Sequence, residues 1–233
     1  MTFTSLASSS RGNAYVVSDG ETTLLLECGL SFRELQKRLG YGVADITACL
    51  VSHEHQDHAK AAAQMLKAGV PVYMSEGTAA AHKDAMDAAN LIKAGEALRF
   101  GHLTVVPFRT YHNVEEPLGF LIADGRTKER LLWAVDTANL GVTADRLTYI
   151  AVECNYEESL LNRSDRIPSV LKERIRHSHF EVSDVIKWLH KQDLSGVLTI
   201  WLLHLSAGNS RAEAWQRRFE REFPGITIRI CEE

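Results

Sequence analysis

Several features that often define a protein class are missing from this sequence. Its four cysteines are scattered and form no C-x-x-C pair, which argues against a zinc ribbon. Lys and Arg number 26 against 30 Asp and Glu, so the net charge of −4 excludes a protein that binds nucleic acid through overall basic character. The longest apolar runs, such as residues 197–203, are far too short to span a bilayer.

An export signal is also missing from the first residues. Residues 1–6 contain neither the charged segment nor the long apolar segment that a signal peptide needs. We therefore expect a cytoplasmic protein without membrane contact, in which the cysteines are buried, reduced thiols. Hydrophobic residues make up 45% and charged residues 24%, as in an ordinary globular protein. We expect one domain over residues 1–233.

Strand-like and helix-like patterns are mixed along the whole chain, which predicts an α/β protein with sheets covered by helices. Ser31 is expected to cap the first helix. The predicted strands are 3–6, 14–18, 22–27, 46–51, 103–108, 119–123, 130–135, 148–152, 196–203 and 226–230. The predicted helices are 32–39, 59–68, 78–90, 168–175, 182–192 and 211–222.

The most informative segment is His53-Glu54-His55-Gln56-Asp57-His58, directly after a predicted strand. Its H-x-H-x-D-H pattern supplies three imidazoles and a carboxylate, the side chains that bind borderline divalent metals such as zinc. Residues two apart on an extended chain point the same way. We therefore expect His53, His55 and Asp57 on one side, with His58 turned toward a neighbouring site. The alternative is a solvated, histidine-rich helix start.

Three further ligand-type residues follow predicted strands. His112 comes after strand 103–108, Asp136 after strand 130–135, and His204 after strand 196–203. Taken singly, Asp136 could cap a helix, and either histidine could be a hydrogen-bonded structural residue. Taken with the first motif, they predict a site with two metal ions built at strand ends.

This order of ligands resembles the metallo-β-lactamase superfamily over essentially the whole chain. The resemblance implies a layered α+β fold, the four-layer αβ/βα sandwich, with two divalent ions, zinc or manganese. It implies that Asp136 bridges the ions. The first ion would be held by His53, His55 and His112, and the second by Asp57, His58 and His204.

Finer features resemble the YycJ/WalJ-type exonuclease branch of that superfamily. They are the N-terminal loop with Ser10 and Asn13, the segment 24–31, and the late segment with Ser206 and Asn209. The resemblance implies phosphodiester hydrolysis of DNA, rather than RNA, by a metal-bridging hydroxide that Asp57 orients. Two departures are present. Glu27 replaces the family's aspartate, and segment 178–182 keeps only the histidine of a glycine-histidine-leucine-serine-asparagine stretch.

That histidine is His179, which by resemblance pairs with Glu153 and protonates the leaving group. A carboxylate beside an imidazole favours the charged imidazolium, a usable general acid. The alternative is a helix-start histidine that bonds the backbone. Nearby, residues 162–179 carry an excess of positive charge. They could bind phosphates, or they could form a solvated helix face. The candidate phosphate contacts there are Arg163, Arg166, Arg174 and Arg176.

Other functions remain open from the residues alone. The same metal set could hydrolyse a small carbonyl compound such as a lactone, a thioester or a β-lactam. A binding module could keep the fold without catalysis, although it would not need all seven ligands. The segments between His112 and Asp136, and between Asp136 and His204, are too short for the tRNase Z arm and the extra RNase J domain. A role in tRNA maturation is therefore disfavoured.

Overall fold

The computed structural model describes residues 1–231, apart from the side chains of Asp84 and Met86. These residues divide into two compact units. The first unit comprises residues 1–109 and 114–129, and the second comprises residues 110–113 and 130–231. The expectation of a single domain stays a prediction.

The first unit contains a six-stranded sheet in chain order, followed by three antiparallel strands. Its sheet is antiparallel over the first three strands and parallel from there on. The sheet strands are β1 Thr2–Ser9, β2 Gly12–Ser18, β3 Thr23–Leu26, β4 Ala48–Leu50, β5 Val72–Met74 and β6 Asn90–Leu91; the others are β7 Leu98–Phe100, β8 Leu103–Arg109 and β9 Leu118–Asp124. The helices are α1 Phe32–Arg38, α2 Gln56–Ala59, α3 Ala62–Lys67, α4 Glu76–Ala81 and α5 Lys83–Met86.

The second unit is built on four parallel strands whose apolar side chains are largely buried. Such near-continuous apolar strands are typical of parallel sheets covered on both faces. Because the strands are parallel, their carboxyl ends meet at one edge, and Glu153 lies opposite Leu203 there. The strands are β10 Arg130–Ala134, β11 Tyr149–Glu153, β12 Thr199–Leu203 and β13 Thr227–Ile230. The helices are α6 Glu158–Arg163, α7 Ser169–Ser178, α8 Val182–Leu189 and α9 Ala212–Glu222.

These elements confirm the predicted α/β class. The cap of α1 is also confirmed, since the Ser31 hydroxyl accepts a hydrogen bond from the Glu34 backbone N–H at 3.3 Å. All four cysteines are buried, as expected. Within residues 1–231, the structure has no helix with the length and apolar character needed to cross a bilayer.

Two predicted helices are wrong in extent. The helix expected over 59–68 begins earlier, at Gln56, and is interrupted, because the Ala61 N–H donates to the carbonyl of Cys28 at 2.9 Å instead of to its own helix. The helix expected over 78–90 is two short helices that meet at His82. Strands β5, β6 and β7 and helix α6 were not predicted.

Candidate metal centre

The histidine motif lies on a short loop and the first turn of a helix. Ser52 Oγ lies 2.8 Å from His53 Nδ1, and His53 Nε2 lies 3.0 Å from His55 Nδ1. Helix α2 begins directly after His55, so Asp57 and His58 are helical. The expectation that His53, His55 and Asp57 share one side of an extended chain is therefore wrong, because the chain turns into a helix within the motif.

His58 is fully buried and is oriented by a carboxylate. Its Nδ1 lies 3.3 Å from Glu27 Oε2, while Glu27 Oε1 accepts a hydrogen bond from the Ser52 N–H at 3.0 Å. Burial raises the pKa of the Glu27 carboxyl, and the hydrogen bond with His58 opposes that rise. The longer side chain that replaces the family's aspartate thus still reaches the imidazole. Such carboxylate contacts fix the ring orientation of metal-binding histidines.

Asn13 packs against the same helix. Its Nδ2 lies 3.2 Å from His58 Nε2 and donates to the Asp57 carbonyl, while its Oδ1 accepts from the Tyr15 hydroxyl at 3.0 Å. Gly29 allows the close approach of chain segments here, since a Cβ at that position would lie 1.6 Å from the Asp57 carbonyl oxygen. Asn13 is buried, and through these contacts it supports the histidine motif. Contact between Asn13 and the substrate stays a prediction.

His82 is a residue of this region that the sequence did not reveal. Its side chain is only partly exposed, and its Nε2 donates to the backbone carbonyl of Glu54 at 2.8 Å. Glu54 lies between the first two histidines of the motif. His82 therefore anchors the loop that presents them.

Replacing His82 with alanine is expected to weaken metal binding by up to about 10-fold, the lower end for loss of an outer contact to a metal site. The loop would lose a hydrogen bond without losing a ligand. Competition titration with a chromogenic zinc chelator would measure the change. His102→Ala is the matched control, because that side chain is 52% exposed. Equal affinity in both variants would contradict the anchoring role.

In the second unit, Asp136 lies between two histidines. Its Oδ2 lies 3.5 Å from His112 Nε2, and its Oδ1 lies 3.3 Å from His204 Nε2. Asp136 and His204 have φ values of 47° and 53°, and Glu27, which follows β3 in the first unit, has 66°. Positive φ is uncommon for residues other than glycine, although Asp and His adopt it more readily than most, and it tends to occur at functional sites. Each of the three comes just after a strand, where the backbone turns sharply.

His112 and His204 are each also held by contacts at atoms that do not face Asp136. His112 Nδ1 donates to the carbonyl of Ser178 at 2.8 Å. The Asn155 amide donates to the His204 carbonyl at 2.8 Å and lies 3.1 Å from His204 Nδ1. Asn155 was not predicted, because nothing in its sequence neighbourhood distinguishes it from other asparagines after strands.

His179 and Glu153 form the pair that the sequence predicted. His179 Nδ1 lies 2.6 Å from Glu153 Oε1, and the other carboxylate oxygen accepts from the Thr137 N–H at 2.7 Å. Burial raises the pKa of the Glu153 carboxyl, while the positive charge and hydrogen bond of His179 oppose it. The His179 side chain is 19% exposed, and its Nδ1 lies 3.8 Å from Asp136 Oδ1.

Both units offer ligand sets whose chemistry fits divalent metal ions. In the second unit, ligand atoms of Asp136, Glu153, His179 and His204 all lie within 4.8 Å of one another. In the first, the motif supplies three imidazoles and a carboxylate. Imidazole and carboxylate together suit zinc and manganese.

The residues predicted to contact the substrate differ from one another in burial and in their own contacts. Arg176 is held by Glu158 at 2.9 Å and Glu173 at 3.1 Å. Asn209 donates to the Ser206 hydroxyl at 3.1 Å. The remaining candidates are exposed: Ser10, Arg163, Arg166 and Arg174.

Comparison with known proteins agrees with this fold. Residues 22–200 match the family model described as the beta-lactamase superfamily domain, and the chain belongs to that family. It is a metallo-β-lactamase-fold hydrolase with His and Asp residues that could bind metal ions.

Particular relatives are similar over most of their length. The chain is 29% identical to exodeoxyribonuclease YycJ of Bacillus anthracis, over 91% of this chain and 84% of that one. It is 25% identical to exodeoxyribonuclease WalJ of Streptococcus pneumoniae serotype 2 (strain D39 / NCTC 7466), over 89% and 82%. The metallo-β-lactamase-fold protein YhfI from Bacillus subtilis shares the fold, with a TM-score of 0.73 and 16% identity, over 99% and 96% of the two chains.

Proposed function

We propose that this protein is a cytoplasmic, metal-dependent phosphodiester hydrolase that acts on DNA as an exonuclease. The observation that carries the proposal is the His179–Glu153 pair, 2.6 Å apart and close to Asp136. Cleavage of a phosphodiester expels an alkoxide, which needs a proton, so a general acid is required. The similar proteins named exodeoxyribonuclease support the choice of DNA.

We assign two ions, zinc or manganese, to the predicted ligands. His53, His55 and His112 would hold the first, and Asp57, His58 and His204 the second. Asp136 would hold both, and this is supported by its two oxygens, each of which faces a different histidine. Bound ions of this kind lower the pKa of a water molecule and offset the negative charge of the phosphate.

The protein's own groups would then direct the reaction. The Asp57 carboxylate would accept a hydrogen bond from the attacking water and orient it toward phosphorus. Because His179 Nδ1 is held by Glu153, the Nε2 proton of that ring would go to the leaving oxygen. The buried Glu153 carboxylate stabilises the imidazolium before transfer, since opposite charges attract strongly where water is excluded.

Substrate contacts would come from residues around this centre. Ser10, Asn13, Ser206 and Asn209 would bind the polar edges of the nucleotide. Arg163, Arg166 and Arg174 would contact phosphates. Arg176 is the weakest of the arginine candidates, because two glutamates already hold it.

A substrate screen tests the proposal directly. Metal-loaded protein is expected to shorten an end-labelled DNA oligonucleotide progressively, and to hydrolyse bis-p-nitrophenyl phosphate. Nitrocefin, lactones and thioesters are expected to be stable, and chelation of the metal should stop the DNA reaction. Faster hydrolysis of any carbonyl substrate than of DNA would instead identify the protein as a small-molecule hydrolase. Specific DNA binding with no turnover of any substrate would indicate a binding module.

A further inference from the structure

The second unit has an open cleft of about 330 Å³ that the proposed mechanism does not use. Its wall includes residues 138–140, which begin two residues after Asp136, and Phe180, directly after His179. Helix α8 and the turn that follows it supply the rest. We propose that this cleft binds a phosphate of the DNA strand away from the scissile bond, with Lys191 as its main cationic contact. This inference rests on the proposed nuclease function.

The cleft is lined by residues that follow the proposed reacting groups in the chain. Phe180 comes directly after His179, whose extended backbone (φ −134°, ψ 156°) sends the two side chains to opposite sides. A DNA strand extends well beyond its reacting phosphodiester, so another of its phosphates can lie in this cleft. The neighbouring cleft is of a size that accommodates a small ligand such as one nucleotide unit, since ligand pockets start near 300 Å³.

The rim of the cleft carries positive charge. Lys187 and Lys191 are four residues apart on α8 and its continuing turn, so they lie on one face of the helix. Lys187 Nζ lies 2.7 Å from Asp184 Oδ1, which offsets part of its charge. Lys191 is exposed and is therefore the stronger phosphate contact. Asn139 also lines the cleft, and its amide can donate to a phosphate oxygen.

Three apolar residues contribute to the lining of the cleft. Leu140, Phe180 and Trp188 are buried there, and the Trp188 indole N–H already donates to the Val142 carbonyl at 3.2 Å. A lysine contacts phosphate as a point charge, without sequence information. We therefore expect the cleft to contribute affinity to any DNA sequence, as a degrading enzyme requires.

Charge variants with opposite expected effects test the cleft. Lys191→Ala should raise KM for a single-stranded oligonucleotide about twofold to fivefold at low salt, in line with one exposed charge contact. The slope of log affinity against log salt should fall by about 0.7, the value for one phosphate contact on a single strand. Asp184→Asn should lower KM, because it removes the negative charge that faces Lys187. Neither variant should change hydrolysis of bis-p-nitrophenyl phosphate, which has no second phosphate.

Binding of a labelled phosphorothioate oligonucleotide to the metal-loaded protein, followed by anisotropy, separates this proposal from the nuclease itself. Lys37→Ala, which removes an exposed lysine of α1, is the control. If the protein cleaves DNA but Lys191→Ala behaves like Lys37→Ala, the cleft proposal is overturned and the nuclease stands. If binding depends on Lys191 without any cleavage, the cleft binds DNA, but the nuclease and the role of the cleft as its substrate site are both overturned. Absence of both binding and cleavage overturns both.

Discussion

Replacing Asp136 with alanine is expected to remove both metal ions and to reduce DNA hydrolysis to the background rate. The two oxygens of this carboxylate face His112 and His204 at 3.5 and 3.3 Å. A carboxylate in that position can bridge ions about 3.5–4 Å apart. Without it, each ion loses a ligand and the two positive charges lose the negative charge between them. His204→Ala should remove mainly one ion, since it deletes a ligand of one ion only.

Elemental analysis of metal-saturated protein by mass spectrometry would give the ion count, with wild type expected near two per chain. Asp165→Ala is the matched control, because it removes an exposed aspartate of the same unit. Circular dichroism would establish that each variant is folded. One ion retained in Asp136→Ala would show that this carboxylate serves a single ion, and one ion in the wild type would refute the two-metal proposal.

The candidate metal ligands can be recognised in the sequence because their chemistry is local. Four ligand-type residues occur within His53 to His58, and Asp136 and His204 each follow a strongly apolar strand. A strand that ends in one polar residue is visible without any knowledge of distant contacts. The parallel register of the second unit then explains why residues after different strands come to one edge.

The supporting residues could not be predicted in the same way. His82 and Asn155 act through hydrogen bonds to residues far along the chain, at Glu54 and His204. The residues next to them in the sequence do not indicate those partners. The predicted helix 59–68 is interrupted for the same reason, since the Ala61 N–H donates its hydrogen bond to the distant Cys28 carbonyl. Local sequence patterns predict which helices and strands form, whereas hydrogen bonds to distant residues decide where a helix is interrupted.

Replacing His179 with alanine is expected to lower the rate on DNA by about 10²- to 10⁴-fold, the usual contribution of general acid catalysis. Metal content should be unchanged, because the proposed role of His179 is proton transfer rather than metal binding. The loss should be much smaller on bis-p-nitrophenyl phosphate, since nitrophenolate leaves without protonation. Glu153→Gln should show a milder form of the same pattern, because it removes the charge that favours the imidazolium 2.6 Å away.

His177→Ala is the matched control for His179, since His177 lies two residues earlier, is 75% exposed and lies 2.9 Å from the exposed Glu173 carboxylate. It should keep full activity on both substrates. His179 also belongs to the cluster of ligand atoms around Asp136, so metal content decides between two roles. Loss of an ion together with equal rate losses on both substrates would make His179 a metal ligand. An unchanged rate on DNA would leave the exonuclease proposal without the proton donor that carries it.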